Sequence, residues 1–446
     1  MQSNKNKTQK DFFLAGKNVS WITAMFSIVA TETSVLTFIS VPGIAYRGDW
    51  TFLQLAIGYI FGRLLVSVFL IPMFFKHGVT SIYEILEKRF NVIIQRIASF
   101  TFLFTRVLAD AVRFAAIAIV IQSITSLSIT LSILIVGLVT LIYTVLGGLK
   151  TVMHIDAFQF FIYILSAFIC IASLMVFIDL PFKDIVLQLN DSNKLKIIDF
   201  TGNMFTKPFM FISAFLGGTM LSFASHGADY MMVQRVLATK DVSSAKKAMI
   251  GSGIFVLFQF SLFLLIGSLI YVISNGLIID KDQEMSFVIL NILPIGLKGI
   301  VIAGVLSAAM STLSSSINAL SSSLMKDWLP NLKSLKLSRY ISIFWTVILI
   351  LTAIVFQNSD DALVIIGLKI ASFTYGSLLS FFILSKFEEK FETLFIIVGY
   401  IFGILTVFYF IKFNIAWTFY ISGSALVNIL VVVVLQKLYE IYNNAK

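Results

Sequence analysis

The chain has 446 residues, of which 58% are hydrophobic and 13% charged, where soluble domains average roughly 45–50% and 25%. That balance excludes a soluble domain. The net charge of +10 is accounted for by where the cations fall along the chain rather than by a polyanionic partner, and the single cysteine, Cys170, excludes an internal disulfide.

Apolar stretches of ~20 residues recur along the whole length, so the sequence predicts an all-α polytopic membrane protein. The runs are continuous rather than alternating, which excludes a β-barrel. About twelve transmembrane helices are expected, at roughly 20–46, 50–75, 93–125, 127–147, 150–178, 207–238, 246–274, 296–325, 337–357, 361–385, 390–411 and 414–437. Most connections are short. The two longer ones, 179–206 and 275–295, carry mixed charge and are each expected to hold a short surface helix. The segment 81–90 reads as a short amphipathic helix.

An even number of spans puts both termini on one side. That side carries most of the lysines and arginines, from Lys5, Lys7 and Lys10 through Lys150, Lys246 and Lys333 to Lys446. The positive-inside rule makes it cytoplasmic, in a multi-pass plasma or inner membrane protein. Three segments are expected: a cytoplasmic start at 1–19, a transmembrane core at 20–385 and peripheral helices with a tail at 386–446.

The first span holds a carboxylate, Glu32, within the hydrocarbon region, among Thr31, Thr33, Ser34 and Thr37 and ahead of Pro42-Gly43. Ionisable groups at that depth face a cavity or a partner. Hydroxyl and β-branched residues weaken helix locally, and a broken span frees backbone carbonyls as ligands. A protonated Glu32 bonded to a neighbouring helix is the alternative. In the third span, Arg106 and Asp110 are spaced to neutralise each other at i, i+4, leaving Arg113 without a local partner and free to face an anionic ligand.

The fifth span opens at Gly147-Gly148 and brings Asp156 ~10 Å inside the cytoplasmic edge at 1.5 Å per residue. It is read either as part of a cation site or as a salt bridge to Lys150 or another cytoplasmic cation. The sixth span carries Gly217-Gly218, Gly227, Asp229 and Arg235, which suit a broken helix and a structural or gating ion pair between Asp229 and Arg235.

The eighth span contains Ala308-Ala-Met-Ser-Thr-Leu-Ser-Ser-Ser316. Residues 308, 311, 312 and 315 share a helix face. That face offers hard neutral oxygens suited to a small dehydrated cation, though small residues also serve close helix packing. Ser315 lies ~15 Å from the cytoplasmic edge, a depth comparable to that of Asp156. The tenth span offers Lys369, Ser372, Thr374, Tyr375 and Gly376 for a hydrophilic path or close packing.

Enzyme motifs are lacking: the sequence has no GxxxxGK[ST], HExxH or CxxC, and its three histidines are dispersed. No enzymatic activity and no catalytic residue is expected.

Several stretches, in order, resemble the sodium:solute symporter family. They are Asp11-Phe-Phe-Leu-Ala-Gly, Ala30-Thr-Glu-Thr-Ser with Pro42-Gly43, Gly62-Arg63, Thr80-Ser-Ile-Tyr-Glu-Ile-Leu-Glu-Lys-Arg-Phe, Gly147-Gly148 with Asp156 and Gln159, Val233-Gln-Arg, Ala308-Ala-Met-Ser-Thr-Leu-Ser-Ser and Thr374-Tyr-Gly-Ser-Leu-Leu. The resemblance implies a LeuT-type five-plus-five inverted repeat, here about 20–178 and 207–385, with broken first and sixth core helices. It implies a sodium site formed by Ala30, Thr33, Ala308, Ser311 and Thr312, and a second at Asp156, Ser311, Ser314 and Ser315. It also implies a substrate cavity to which Glu32, Ser34, Thr37, Phe52, Gln54, Arg113 and Tyr375 contribute. Only ten residues precede Asp11, so the family's first peripheral helix is expected to be missing.

The expected function is sodium-coupled import of a small polar organic solute by alternating access. Its partners are the solute, sodium ions and membrane lipid, with no nucleic acid, no obligatory protein partner and no cofactor beyond sodium as coupling ion. The alternatives are a cation-independent or proton-coupled carrier, or a channel or sensor on a transporter scaffold.

Overall fold

A computed structural model describes residues 9–125, 127–274, 278–332, 334–355 and 362–444. Lys5, Lys7, Lys333 and Lys446, used above for orientation, lie outside the described residues. Among those residues the fold is all-helical, its one extended pairing an isolated bridge between Val19 and Thr239.

After a short α1 (Gln9–Leu14), the first predicted span is two helices, α2 (Trp21–Glu32) and α3 (Val35–Arg47), meeting at 62°. The break falls at Thr33-Ser34, where hydroxyls compete for backbone groups. The Thr33 N–H and hydroxyl both turn back to the Val29 carbonyl. Ser34 N–H donates to Glu32 O at 3.1 Å, and its hydroxyl caps α3 by accepting from Leu36 N–H. Pro42 sits inside the continuous helix α3 rather than at the break.

Helix α4 (Leu53–His77) packs on α9 (Phe211–Gly227). Their backbones approach so closely that a Cβ on Gly218 would strike the Leu55 carbonyl. The predicted 81–90 helix is α5 (Glu84–Arg89), which buries Ile85 and Leu86 and exposes Glu87 and Lys88. Helix α6 (Val92–Thr125) follows, then α7 (Ile129–Ile178), which joins the predicted fourth and fifth spans through Gly148 at φ 65°, ψ −179°. That is backbone an L side chain avoids.

Each of the two long connections carries a short helix, α8 (Phe182–Asp191) and α12 (Glu284–Phe287); α8 lies at the surface as expected, but α12 is buried at Glu284, Met285 and Ser286. The sixth span is also two helices, α9 and α10 (Tyr230–Leu237), with Asp229 capping α10 through Met231 N–H at 2.8 Å. The remaining helices are α11 (Val242–Ser274), α13 (Ile295–Trp328), α14 (Leu335–Val355), α15 (Leu363–Leu384), α16 (Thr393–Lys412) and α17 (Tyr420–Asn444).

Among the described residues, eight helices are long and apolar enough to cross a membrane, or nine with the bent first span. The predicted third, fourth and sixth spans are helical but more polar, shorter or interrupted. Of these long apolar helices α13 is the most enclosed: Ser307 and every residue from Ser311 to Ser323 are buried. At one end of it, Phe12 and Phe13 pack with Met325 and Ile341, and Gln234 Nε2 donates to Phe13 O at 2.8 Å.

Candidate functional site

Among the carbonyls that lose their helical donors at the break in the first span are those of Ala30 and Thr31. Both are met by α13. Ser311 Oγ donates to Ala30 O at 2.9 Å and Thr312 Oγ1 to Thr31 O at 3.2 Å. The same hydroxyls also reach Ala308 O, at 3.1 and 3.3 Å. Ala30, Thr33, Ala308 and Ser311 line one narrow crevice with Gln159, Phe160 and Tyr163 of α7. Four of the five residues of the predicted first sodium site thus converge there, and Thr312 closes it from beside Thr31. The crevice is made of neutral oxygens, the donor set of a hard monovalent cation. Among the described residues, no three of His, Cys, Asp and Glu converge as metal ligands.

The predicted second group is different. Asp156 Oδ2 accepts from Ser27 Oγ at 2.9 Å and from Ser315 Oγ at 3.1 Å, while Ser314 turns to its own helix at Ser311 O. A buried guanidinium, Arg235 of α10, lies 3.5 Å from Asp156 Oδ2. It donates to Ser27 Oγ at 3.1 Å, to Met231 O at 2.5 Å and to Ser315 Oγ. The cytoplasmic cation foreseen for Asp156 is therefore Arg235, not Lys150. This corrects the expected Asp229–Arg235 pair: six residues at 100° each set the two on different sides of the helix.

Beyond the break lies a cavity of about 80 Å³. Glu32, Ser34, Thr37, Phe52, Arg113 and Tyr375 all line it, with His226, Asp229 and Arg106. Gln54, expected in the cavity, is a strut beneath it instead. Its amide donates to Thr51 O and Phe209 O, and its oxygen accepts from Asp199 N–H.

Each carboxylate around the cavity has a guanidinium, as burial of charge requires. Glu32 pairs with Arg63 of α4 and stands 3.5 Å from His226 Nε2. Arg63 is fully buried and held by Ser252. Asp229 pairs with Arg106 at 3.3 Å and accepts from the Tyr375 hydroxyl. Asp110 pairs with Arg113 at 2.9 Å. The expected Arg106–Asp110 pair is thus exchanged: Arg113 takes Asp110 from position i+3, and Arg106 crosses to the sixth span. Arg113 keeps one edge on the cavity, and its Nε has no hydrogen-bond partner.

In the sequence Arg63 stands out only within the Gly62-Arg63 motif, and His226 only as one of three dispersed histidines. An intramembrane Glu32 demanded a cation, but nothing local indicated which.

A family model described as "Sodium:solute symporter family" matches residues 12–403. The chain is 27% identical to the human sodium/iodide cotransporter over 346 residues, 74% of this chain and 52% of that protein. It is 28% identical to human sodium-coupled monocarboxylate transporter 2, covering 77% and 57% of the two chains. Against the sodium/sialic acid symporter of Aliivibrio fischeri the identity is 27%, covering 73% and 65%. The chain therefore spans about half to two thirds of the length of these relatives.

Among solved structures, a substrate-bound, outward-open Na+-coupled sialic acid symporter superposes with a TM-score of 0.88 at 24% identity, covering 98% of this chain and 93% of that one. The nucleobase-cation-symport-1 transporter Mhp1, in a closed conformation, gives 0.65 at 11%, covering 96% and 94%.

Proposed function

We infer, because this chain belongs to the sodium:solute symporter family, a family of transporters and not of enzymes, that it imports a small anionic solute together with sodium by alternating access. Residues 20–385 form the transporting core, inverted repeats run over about 20–178 and 207–385, and 386–446 is peripheral. Both termini lie in the cytoplasm.

The observation that carries this reading is the crevice where the Ala30 and Thr31 carbonyls, released at the broken span, face the Ser311 and Thr312 hydroxyls of α13. A sodium ion held by Ala30, Thr33, Ala308, Ser311 and Thr312 would tie α2 to α13. It would thereby fix the neighbouring cavity, whose wall begins two residues beyond Ala30 at Glu32. Binding both ligands then shifts the population toward the state that opens inward. A second sodium at Asp156, Ser311, Ser314 and Ser315 requires Arg235 to leave Asp156 first.

An anionic solute is favoured by Arg113. Asp110 holds it from behind while its cavity edge stays available, whereas Arg106 is taken by Asp229 and Tyr375. Iodide, monocarboxylates and sialic acid, named for the relatives, are likewise anions or acids.

The test is a thermal-shift screen of small carboxylates and inorganic anions, with and without sodium, followed by uptake into proteoliposomes. A true ligand at 100 times its Kd stabilises by about 2.7 kcal/mol, and sodium is expected to raise its affinity. Accumulation that ignores an imposed sodium gradient overturns the sodium reading. Sodium-dependent binding of sugars or amines with no anion binding overturns the solute class. Ion current without solute accumulation would mark a channel, and binding without transport a sensor.

A further inference from the structure

The connection from α11 to α13 does more than join two spans. Its helix α12 lays Glu284 against α3, where the carboxylate pairs with Arg47 and sits over Gly43 one turn earlier. Any side chain at position 43 would collide with it: an added Cβ would come 2.9 Å from either Glu284 oxygen. Arg47 also donates to Gly43 O at 3.1 Å. Two residues before Glu284, Asp282 Oδ2 caps α15 by accepting from Leu363 N–H at 3.3 Å, and the adjacent Val364 N–H reaches Ser40 of α3.

This short segment therefore clamps α3 and α15, which carry Thr37 and Leu36 on one wall of the cavity and Gly367, Leu368 and Ala371 on another. It continues through 288–292 into the serine-rich helix α13. Two elements beside the cavity are thus held by two neighbouring carboxylates, α3 by Glu284 and α15 by Asp282. Glu284 is fully buried, while Arg47 is about one third exposed.

We propose that the Glu284–Arg47 contact is an outer latch on the cavity, and that extracellular protons set it. The proposal rests on the alternating-access reading and on the orientation given above. The charges acting on Glu284 are Arg47 from α3 and Asp282 from its own connection. The outer turns of α6, residues 117–125, contribute no charged residue.

Burial pushes the Glu284 carboxyl up to about 7, against an ordinary 4.5, with Arg47 opposing the rise and Asp282 adding to it. When the latch parts, the carboxyl is wetted and returns toward its ordinary value. The latched state therefore holds the proton more tightly. Linkage makes acid favour the latched state, and the bias toward opening grows as pH rises from about 4.5 to about 7 and levels off above that. Between pH 6 and pH 8 the shift is roughly tenfold.

The test needs no knowledge of the solute. Leu368→Cys puts a thiol in the cavity; Cys170 is buried. In intact expressing cells, labelling by a membrane-impermeant maleimide is measured across pH relative to Asn203→Cys, an exposed outer-loop site, which corrects for thiol ionisation. Relative labelling is expected to rise roughly tenfold from pH 6 to pH 8. Glu284→Gln should make it flat and low. Arg47→Gln, which strips the carboxylate of its cation, should move the midpoint to higher pH. The second variant carries the test if the first fails to fold.

Labelling in Leu368→Cys that responds to sodium but not to pH overturns the latch and leaves the carrier reading standing. Labelling that responds to neither overturns the latch and also removes the reading it rests on. A Glu284→Gln profile that keeps its pH dependence overturns the assignment to Glu284.

Discussion

Two oxygen-rich clusters share the serine face of α13, and they solve opposite electrostatic problems. The crevice at Ala30, Thr33, Ala308 and Ser311 is built from neutral dipoles. Any positive charge it holds must come from solution. The cluster around Asp156 contains a formal negative charge, and Arg235 already answers it. Proximity of a carboxylate to hydroxyls is thus poor evidence for an ion site by itself. The chain can supply the cation, and a tethered guanidinium is present at far higher local concentration than any free ion. The neutral crevice has no such internal competitor.

The largest expected effect breaks the comparison if it is absent. Arg235→Met leaves Asp156 buried and unpaired, which costs about 3–5 kcal/mol. Thermal unfolding of the purified protein should show that loss, and Asp156→Asn added to it should recover most of the difference. A single variant as stable as the parent would mean that Asp156 does not depend on Arg235.

Next in size is Ser311→Ala with Thr312→Ala, which removes both hydroxyls from the crevice and leaves the Ala30 and Thr31 carbonyls unmet. The sodium concentration that half-stabilises the protein should rise roughly 10–100-fold, read by sodium titration of the melting temperature. No change would move the ion elsewhere.

The smallest effect concerns the seam between the regions. Thr31 offers its carbonyl to Thr312 and its hydroxyl to Ser315, 3.2 Å away. Thr31→Val keeps the shape and the carbonyl but loses the hydroxyl bond, so about 1 kcal/mol of stability should go with sodium affinity nearly unchanged. A large loss of sodium affinity would merge the two clusters into one.

The spans were legible in the sequence because membrane thickness imposes length and apolarity locally. Breaks were legible as well, though the Thr33-Ser34 hydroxyls rather than Pro42-Gly43 mark where the first span bends. Partner choice was not. Arg106 and Asp110 satisfy the i, i+4 rule, yet Asp110 and Asp229 are equally buried and each must be neutralised, so Arg113 answers the first and Arg106 the second. Gln54 looked like a cavity residue from its place at the start of α4. Its contacts with Phe209 and Asp199 join segments some 150 residues away, and no local pattern encodes them. Arg63, Arg235 and His226 share that property: each answers a charge on another element.

Arg235 has an electrical consequence. A cation fixed to the chain moves with its helix and returns with it, so over a complete cycle it contributes nothing to current. Were one sodium to cross with one monovalent anion, the cycle would be electroneutral, and membrane voltage, at roughly 2.3 kcal/mol per charge per 100 mV, would not drive it. The chemical gradient of sodium would then be the whole driving force.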